Sequence, residues 1–208
     1  MLIFLGDLHR AGSRTFWIID RANDFLPTPI PVIQVGDLEW HPDKPPPRSP
    51  WPIYWIDGNH DHLPSLLPLR TPTEVWPGWI YCPRGSVLEV GGYRIGFLGG
   101  ARSLHRSAEV EGRSWWAEEE PTREEASRLN GQEIDVLVTH TPPAFVVQAM
   151  GFRRDREERA SAVVQELWTE LGSPLLVCGH MHQSFQLDGV RVLGMREAVV
   201  LRNSSGFE

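Results

Sequence analysis

The sequence predicts an α/β protein in which a sheet is wound with intervening helices, on three observations. Short apolar runs at residues 2–5, 32–35, 52–56, 134–138 and 175–178 have the β-branched and aromatic content of buried strands. Stretches with helical spacing or a helix cap lie between several of them. Each run closes on a polar block: Gly6-Asp7-Leu8-His9, Gly36-Asp37, Gly58-Asn59-His60-Asp61, Thr139-His140 and Gly179-His180-Met181-His182. In sheets wound this way, the loops at the carboxyl ends of strands gather along one edge, where ligands bind.

Taken in order, the first strand opens at Leu2 and ends before Gly6. Ser13 is placed to cap a helix in which Ile18, Ala22 and Phe25 recur near helical spacing, and Pro27, Pro29 and Pro31 end it. Val32-Ile33-Gln34-Val35 is the second strand. Prolines at 42, 45, 46, 47, 50 and 52 then make an extended surface loop. The third strand, residues 52–56, runs into Asp57-Gly58-Asn59-His60-Asp61-His62. A short helix near Leu63 to Leu67 precedes strands at 79–81, 86–90 and 93–98, the last two joined by the hairpin signal Gly91-Gly92. Gly99-Gly100-Ala101 leads into a polar segment, 102–120, that carries Trp115-Trp116. Thr122-x-x-Glu125 is a capping box. After the strand at 134–138, Ala160, Val163, Val164, Leu167, Trp168 and Leu171 form the clearest amphipathic helix, stopped by Gly172 and Pro174. Strands at 175–178, about 185–193 and 198–202 complete the chain.

Composition bounds the reading. With 208 residues, 41% hydrophobic and 23% charged, one domain spanning 1–208 with a real core is expected, and the composition speaks against disorder. The net charge of -7 gives no general attraction to nucleic acid or an anionic membrane, so no stable nucleic-acid partner is expected. Cys82 and Cys178 sit beside apolar runs and read as small buried hydrophobes in a reducing cytoplasm. No stretch has the pattern of a signal peptide or of a membrane span. The oligomeric state is not readable.

The strand-end placement predicts that Asp7, His9, Asp37, Asn59, His60, His140, His180 and His182 converge. Imidazole suits divalent ions of borderline softness, while carboxylate and amide oxygen also accept harder ones. The donor set is too large for one ion, and a bridging carboxylate would hold two at about 3.5–4 Å. A structural zinc site is the competing reading. Those sites close with four ligands and usually use cysteine, and neither cysteine lies in a block.

The five blocks, in this order, resemble the signature of the calcineurin-like metallophosphoesterase superfamily. Gly112-Arg113-Ser114-Trp115-Trp116-Ala117-Glu118 is also similar to small bacterial and phage members. The resemblance implies a four-layer α-β-β-α sandwich of two mixed sheets flanked by helices. It implies one divalent ion held by Asp7, His9, Asp37 and His182, and a second held by Asp37, Asn59, His140 and His180. Manganese is the first expectation, with iron, zinc and nickel as alternatives. His60 matches the catalytic histidine and Asp61 the acid that orients it; His62 has no role in the pattern. The implied reaction is in-line attack of a metal-bridging hydroxide on phosphorus.

The resemblance implies a small phosphate ester as substrate, with nucleotides and cyclic nucleotides among the candidates. Leu38-Glu39-Trp40-His41 follows Gly36-Asp37 where the family's protein phosphatases carry Asp-Arg-Gly, which disfavours that activity and a dinucleoside polyphosphate hydrolase. A phosphodiesterase is the first expectation, a phosphomonoesterase the second and a non-catalytic binding scaffold the third. Arg10, Arg14, Arg102, His105, Arg106 and Arg113 are candidates to meet phosphate oxygens. The Arg153–Arg159 stretch, interleaved with acids, reads as a paired helix surface.

Overall fold

Alternation along β1 (Leu2–Leu5) sets the layering. Leu2 and Phe4 join one apolar cluster and Ile3 and Leu5 another, the two-residue period of a strand buried on both faces. The computed structural model describes residues 1–9, 29–103, 106–152, 158–203 and 206–207. The helix expected after Ser13 lies outside them, as do Arg10, Arg14, His105, Arg153, Arg154 and Arg156.

Parallel to β1 run β2 (Val32–Gln34), β3 (Ile53–Trp55) and β5 (Trp79–Tyr81), with β4 (Thr73–Trp76) antiparallel at the edge. On the other side of β1 lie β12 (Ala198–Asn203) and β13 (Gly206–Phe207), giving a seven-stranded mixed sheet ordered β13-β12-β1-β2-β3-β5-β4. The second sheet is six-stranded and also mixed. Its order is β10 (Phe185–Leu187), β11 (Val190–Val192), β9 (Leu175–Cys178), β8 (Val136–Thr139), β7 (Tyr93–Leu98) and β6 (Ser86–Val90).

The sheets share a core of Leu2, Phe4, Ile33 and Val35 from the first and Ile95, Phe97, Val136, Val138 and Val177 from the second. Each fully buried side chain of this size stabilises the fold by about 1.5–3 kcal/mol relative to exposure. Leu137, Leu176 and Cys178 face the opposite way, against α2 (Arg123–Ser127), α3 (Ala144–Ala149) and α4 (Glu158–Glu170). Ile3, Ile53, Trp55 and Trp79 pack outward with Leu66 of α1 (Leu63–Leu66). The result is the expected sandwich of two mixed sheets flanked by helices.

Some elements differ from the sequence reading. The stretch 185–193 is two strands, β10 and β11, because Asp188 and Gly189 both take positive φ (47° and 80°) and form a tight hairpin turn. β4 was not anticipated, although Pro77-Gly78 punctuates two short strand-like runs. Helix α3 was also missed; its Val146-Val147 pair lowers helix propensity, and burial of both valines outweighs that preference. The capping box forms as expected, with Thr122 accepting from the Glu125 backbone and Glu125 reaching back to the Thr122 amide. Both cysteines are free and buried, and no helix among the described residues is long and apolar enough to cross a membrane.

Candidate metal centre

The five strand-end blocks meet at one edge of the sandwich, where β1, β2 and β3 of one sheet face β8 and β9 of the other. Asp7, His9, Asp37 and His182 form one group of potential donors and Asp37, His140 and His180 a second, with the donor atoms of each group within 4.8 Å of one another. Asp37 belongs to both. Its Oδ1 lies 3.3 Å from His140 Nε2, while its Oδ2 lies 3.7 Å from His9 Nε2. The two carboxylate oxygens therefore point to different groups.

Tight backbone turns place these side chains. His9, Asp37, His180 and His182 all have φ between 42° and 66°, a region that costs non-glycine residues strain. The glycines of the blocks make room for the carboxylates. A Cβ on Gly58 would run into Asp37 Oδ1 and lie 2.7 Å from His140 Nε2, and one on Gly179 would run into Asp7 Oδ1. Asp7 is fully buried and accepts from the His180 amide at 2.9 Å through Oδ2, which also lies 3.3 Å from His182 Nε2. The His60 amide donates to Asp37 Oδ1 at 3.0 Å.

Hydrogen bonds behind the donors aim them. His140 Nδ1 donates to the Val35 carbonyl at 2.8 Å, which turns Nε2 toward Asp37. His9 Nδ1 pairs with Glu39 Oε1 at 3.1 Å, leaving Nε2 facing His182 Nε2 at 3.0 Å. Asn59 Nδ2 donates to Ser103 Oγ at 3.3 Å. Burial favours the neutral form of Asp37, but His140 beside it, with His60 and His180 further off, outweighs this and holds the carboxyl far below the usual range. Burial likewise pulls His140 down, but the Asp37 carboxylate overrides it and pushes the imidazole up to about 10.

The donor set fits divalent ions on a further observation. Buried polar atoms normally find partners, yet Asp37 Oδ2, Asn59 Oδ1 and His140 Nε2 have no hydrogen bond among the described residues. A carboxylate oxygen and an amide oxygen with free lone pairs, and an imidazole nitrogen that offers one once its proton leaves, suit a cation.

His60 is exposed, with its ring 5.1 Å from that of His9 in an edge-on arrangement. Asp61 is buried, and its oxygens accept from the amides of Trp40 (2.7 Å), Gly58 (2.7 Å) and Asp37 (3.1 Å). Burial and the nearby Asp37 charge push its carboxyl well above the usual range, against the pull of the amides. No bond from Asp61 to the His60 ring is present among the described residues. Asp61 instead clamps the backbone of the two turns that carry Asp37 and His60.

The polar segment after β7 is bound to this edge. Arg84, buried, donates to Asp57 Oδ2 through Nε (2.9 Å) and Nη2 (2.7 Å), and to the carbonyls of Glu118 (3.0 Å), Glu119 (3.0 Å) and Glu120 (3.1 Å). The Arg106 guanidinium lies 4.6 Å over the Trp115 ring. Trp116 meets His62 edge-on at 5.6 Å. Arg106 is also paired with Glu119 and Glu120, and is therefore engaged by protein acids. Glu39, Ser103 and Glu119 were not singled out as site residues from sequence. Proximity to Asp37 was a signal for Glu39; Ser103 and Glu119 lie in a polar segment with no motif spacing.

Together the sandwich and its edge cluster of histidine, carboxylate and amide donors define a metal-dependent phosphoesterase. The family described as calcineurin-like phosphoesterase matches residues 1–184, and the chain belongs to it. Its members are metal-dependent hydrolases of phosphoric esters that use pairs of divalent ions. A search of curated proteins finds no match.

Proposed function

We propose that the protein hydrolyses small phosphodiesters, nucleotides or cyclic nucleotides among them, at two divalent ions, manganese being the first choice. The supporting observation is the pair of donor groups that share Asp37. Asp7, His9, Asp37 and His182 would hold one ion, and Asp37, Asn59, His140 and His180 the other. Bound there, the ions supply an activated water and neutralise phosphoryl charge. The protein supplies the remainder. Asp37 and Asp7, fixed by backbone amides, hold the centre's shape. His60, exposed beside His9, donates a proton to the leaving oxygen or stabilises its developing charge. Asp61 is a positioning residue that acts through the turn backbone. A diester carries one charge less than a monoester, and Arg106 is already paired with Glu119 and Glu120, which favours the diester. Two free, buried thiols suit a reducing compartment such as the cytoplasm.

The test measures metal content and turnover of a generic phosphodiester and a generic phosphomonoester with added manganese. His60→Ala should keep the bound metal and lose about 10²–10⁴ in turnover, the range typical of a general acid, whereas Asp37→Asn should lose both. Undiminished turnover by His60→Ala would sink the role given to His60. Faster hydrolysis of the monoester would reverse the substrate preference.

A further inference from the structure

The amide of Asn59 has two ends of nearly equal shape, and only the oxygen can face a cation. What selects the end lies outside the five blocks. Ser103 Oγ donates its single proton to Glu119 Oε2 at 2.8 Å, so toward Asn59 it presents only lone pairs. Asn59 must therefore offer Nδ2 to Ser103, at 3.3 Å, which leaves Oδ1 turned away with no hydrogen-bond partner among the described residues. Glu119 is fixed in turn. It is fully buried, and its Oε1 accepts from the Ser103 amide (2.7 Å) and from Arg106 Nε (2.7 Å). The polarity of each bond dictates that of the next, from carboxylate to hydroxyl to amide.

We infer that Ser103 and Glu119 are positioning residues that set which end of Asn59 faces the metal centre. The inference rests on the two-ion reading above. Neither residue touches the donors of the Asp7 group, so its effect falls on the ion shared by Asp37, Asn59, His140 and His180.

Glu119→Gln tests the polarity at nearly constant shape. The new amide accepts from the Ser103 amide and Arg106 through its oxygen and turns its NH2 toward Ser103 Oγ. The hydroxyl's proton is then released from residue 119 and free to turn to Asn59, whose oxygen swings toward it and whose NH2 swings toward the ions. Calorimetric titration with Mn2+ should show one of the two ions weakened by about 10–100-fold, the usual cost of losing a group that orients a ligand. Adding Asn59→Asp to Glu119→Gln should restore the affinity, because a carboxylate has an acceptor at both ends. Because the added charge alone tightens a cation site, Asn59→Asp by itself is the control. The gain should be larger beside Glu119→Gln than in the wild type, and an equal gain would mark a purely structural role for Glu119. In the ion-free protein, the side-chain NH2 resonances of Asn59 should shift between wild type and Glu119→Gln.

A folded Glu119→Gln protein with the wild-type isotherm and unshifted Asn59 resonances would overturn the inference. Fewer than two ions on the wild type would overturn the two-ion reading, while the ion-free resonances still judge the relay. Should Glu119→Gln fail to fold, Ser103→Ala against Ser103→Thr carries the same comparison. Weaker binding by Ser103→Ala alone would support the relay, and equal isotherms would refute it.

Discussion

At His182 the backbone sits at φ 55° and the side chain is more than a third exposed, so little packing holds the residue there. The left-handed region costs an ordinary L-residue about 1–2 kcal/mol, and glycine escapes that cost. Truncation to alanine keeps the strain, whereas glycine relieves it at some cost in chain entropy. His182→Gly should therefore melt at or above the temperature of His182→Ala in the ion-free protein, although both lack the imidazole. Thermal denaturation with chelator present checks the order, and a clearly lower melting point for glycine would show that the turn carries no such strain. The convergence of the candidate donors was legible in sequence because each follows a strand, usually behind a glycine that leaves room for it. Their supporting groups were not. Glu39, Ser103 and Glu119 act through hydrogen bonds to residues 30, 44 and 16 positions away in the chain, and no local pattern announces such a pairing.

Among the elements, the loop between β11 and β12 has its own pH dependence. Glu197 accepts from the Gly194 amide (2.6 Å), Ser184 Oγ and Arg191, and its backbone carbonyl accepts from Gly6 at 2.9 Å, one residue before Asp7. Burial raises its carboxyl, but the bonds from Ser184 and Gly194 and the charge of Arg191 together hold it below the ordinary 4.5. A depressed carboxylate stabilises the fold above its unfolded value and ceases to do so as pH falls through its folded value. Glu197→Gln should therefore lower the melting temperature near pH 7 by about 2–4 °C, as for a loss of roughly 1 kcal/mol in a chain of this size. The gap from wild type should close as pH drops below 4.5. A gap of the same size at pH 3 and pH 7 would refute the assignment. Elements with strong patterns, such as the amphipathic α4 and the capped α2, were readable from the sequence. The hairpin of β10 and β11 reads as one strand because its apolar runs are only three residues each, although Asp188-Gly189 is a hairpin-turn pair.

For the whole molecule, the layout of the sandwich followed from the order of the blocks and not from any one of them. The division into two sheets needed the family resemblance, since strand-end motifs alone do not say which strands pair. The donors divide along the same seam: Asp7, His9, Asp37 and Asn59 follow strands of the seven-stranded sheet, and His140, His180 and His182 follow strands of the other. Any ion held by both sets is a removable cross-link between the layers. Because the unfolded chain cannot hold that geometry, Mn2+ at a thousandfold above its dissociation constant should add about 4 kcal/mol of stability. For a chain of this length that is roughly 8–16 °C in melting temperature. Scanning calorimetry with Mn2+ and with chelator checks this, and identical melting points would show that no ion binds the folded chain in preference to the unfolded one. With ions bound, unfolding should appear as one sharp transition that moves with the logarithm of ion concentration. When the ions are removed, the layers would lose a shared fastening and the transition should broaden, so the supply of metal would govern the stability of the fold as well as its chemistry.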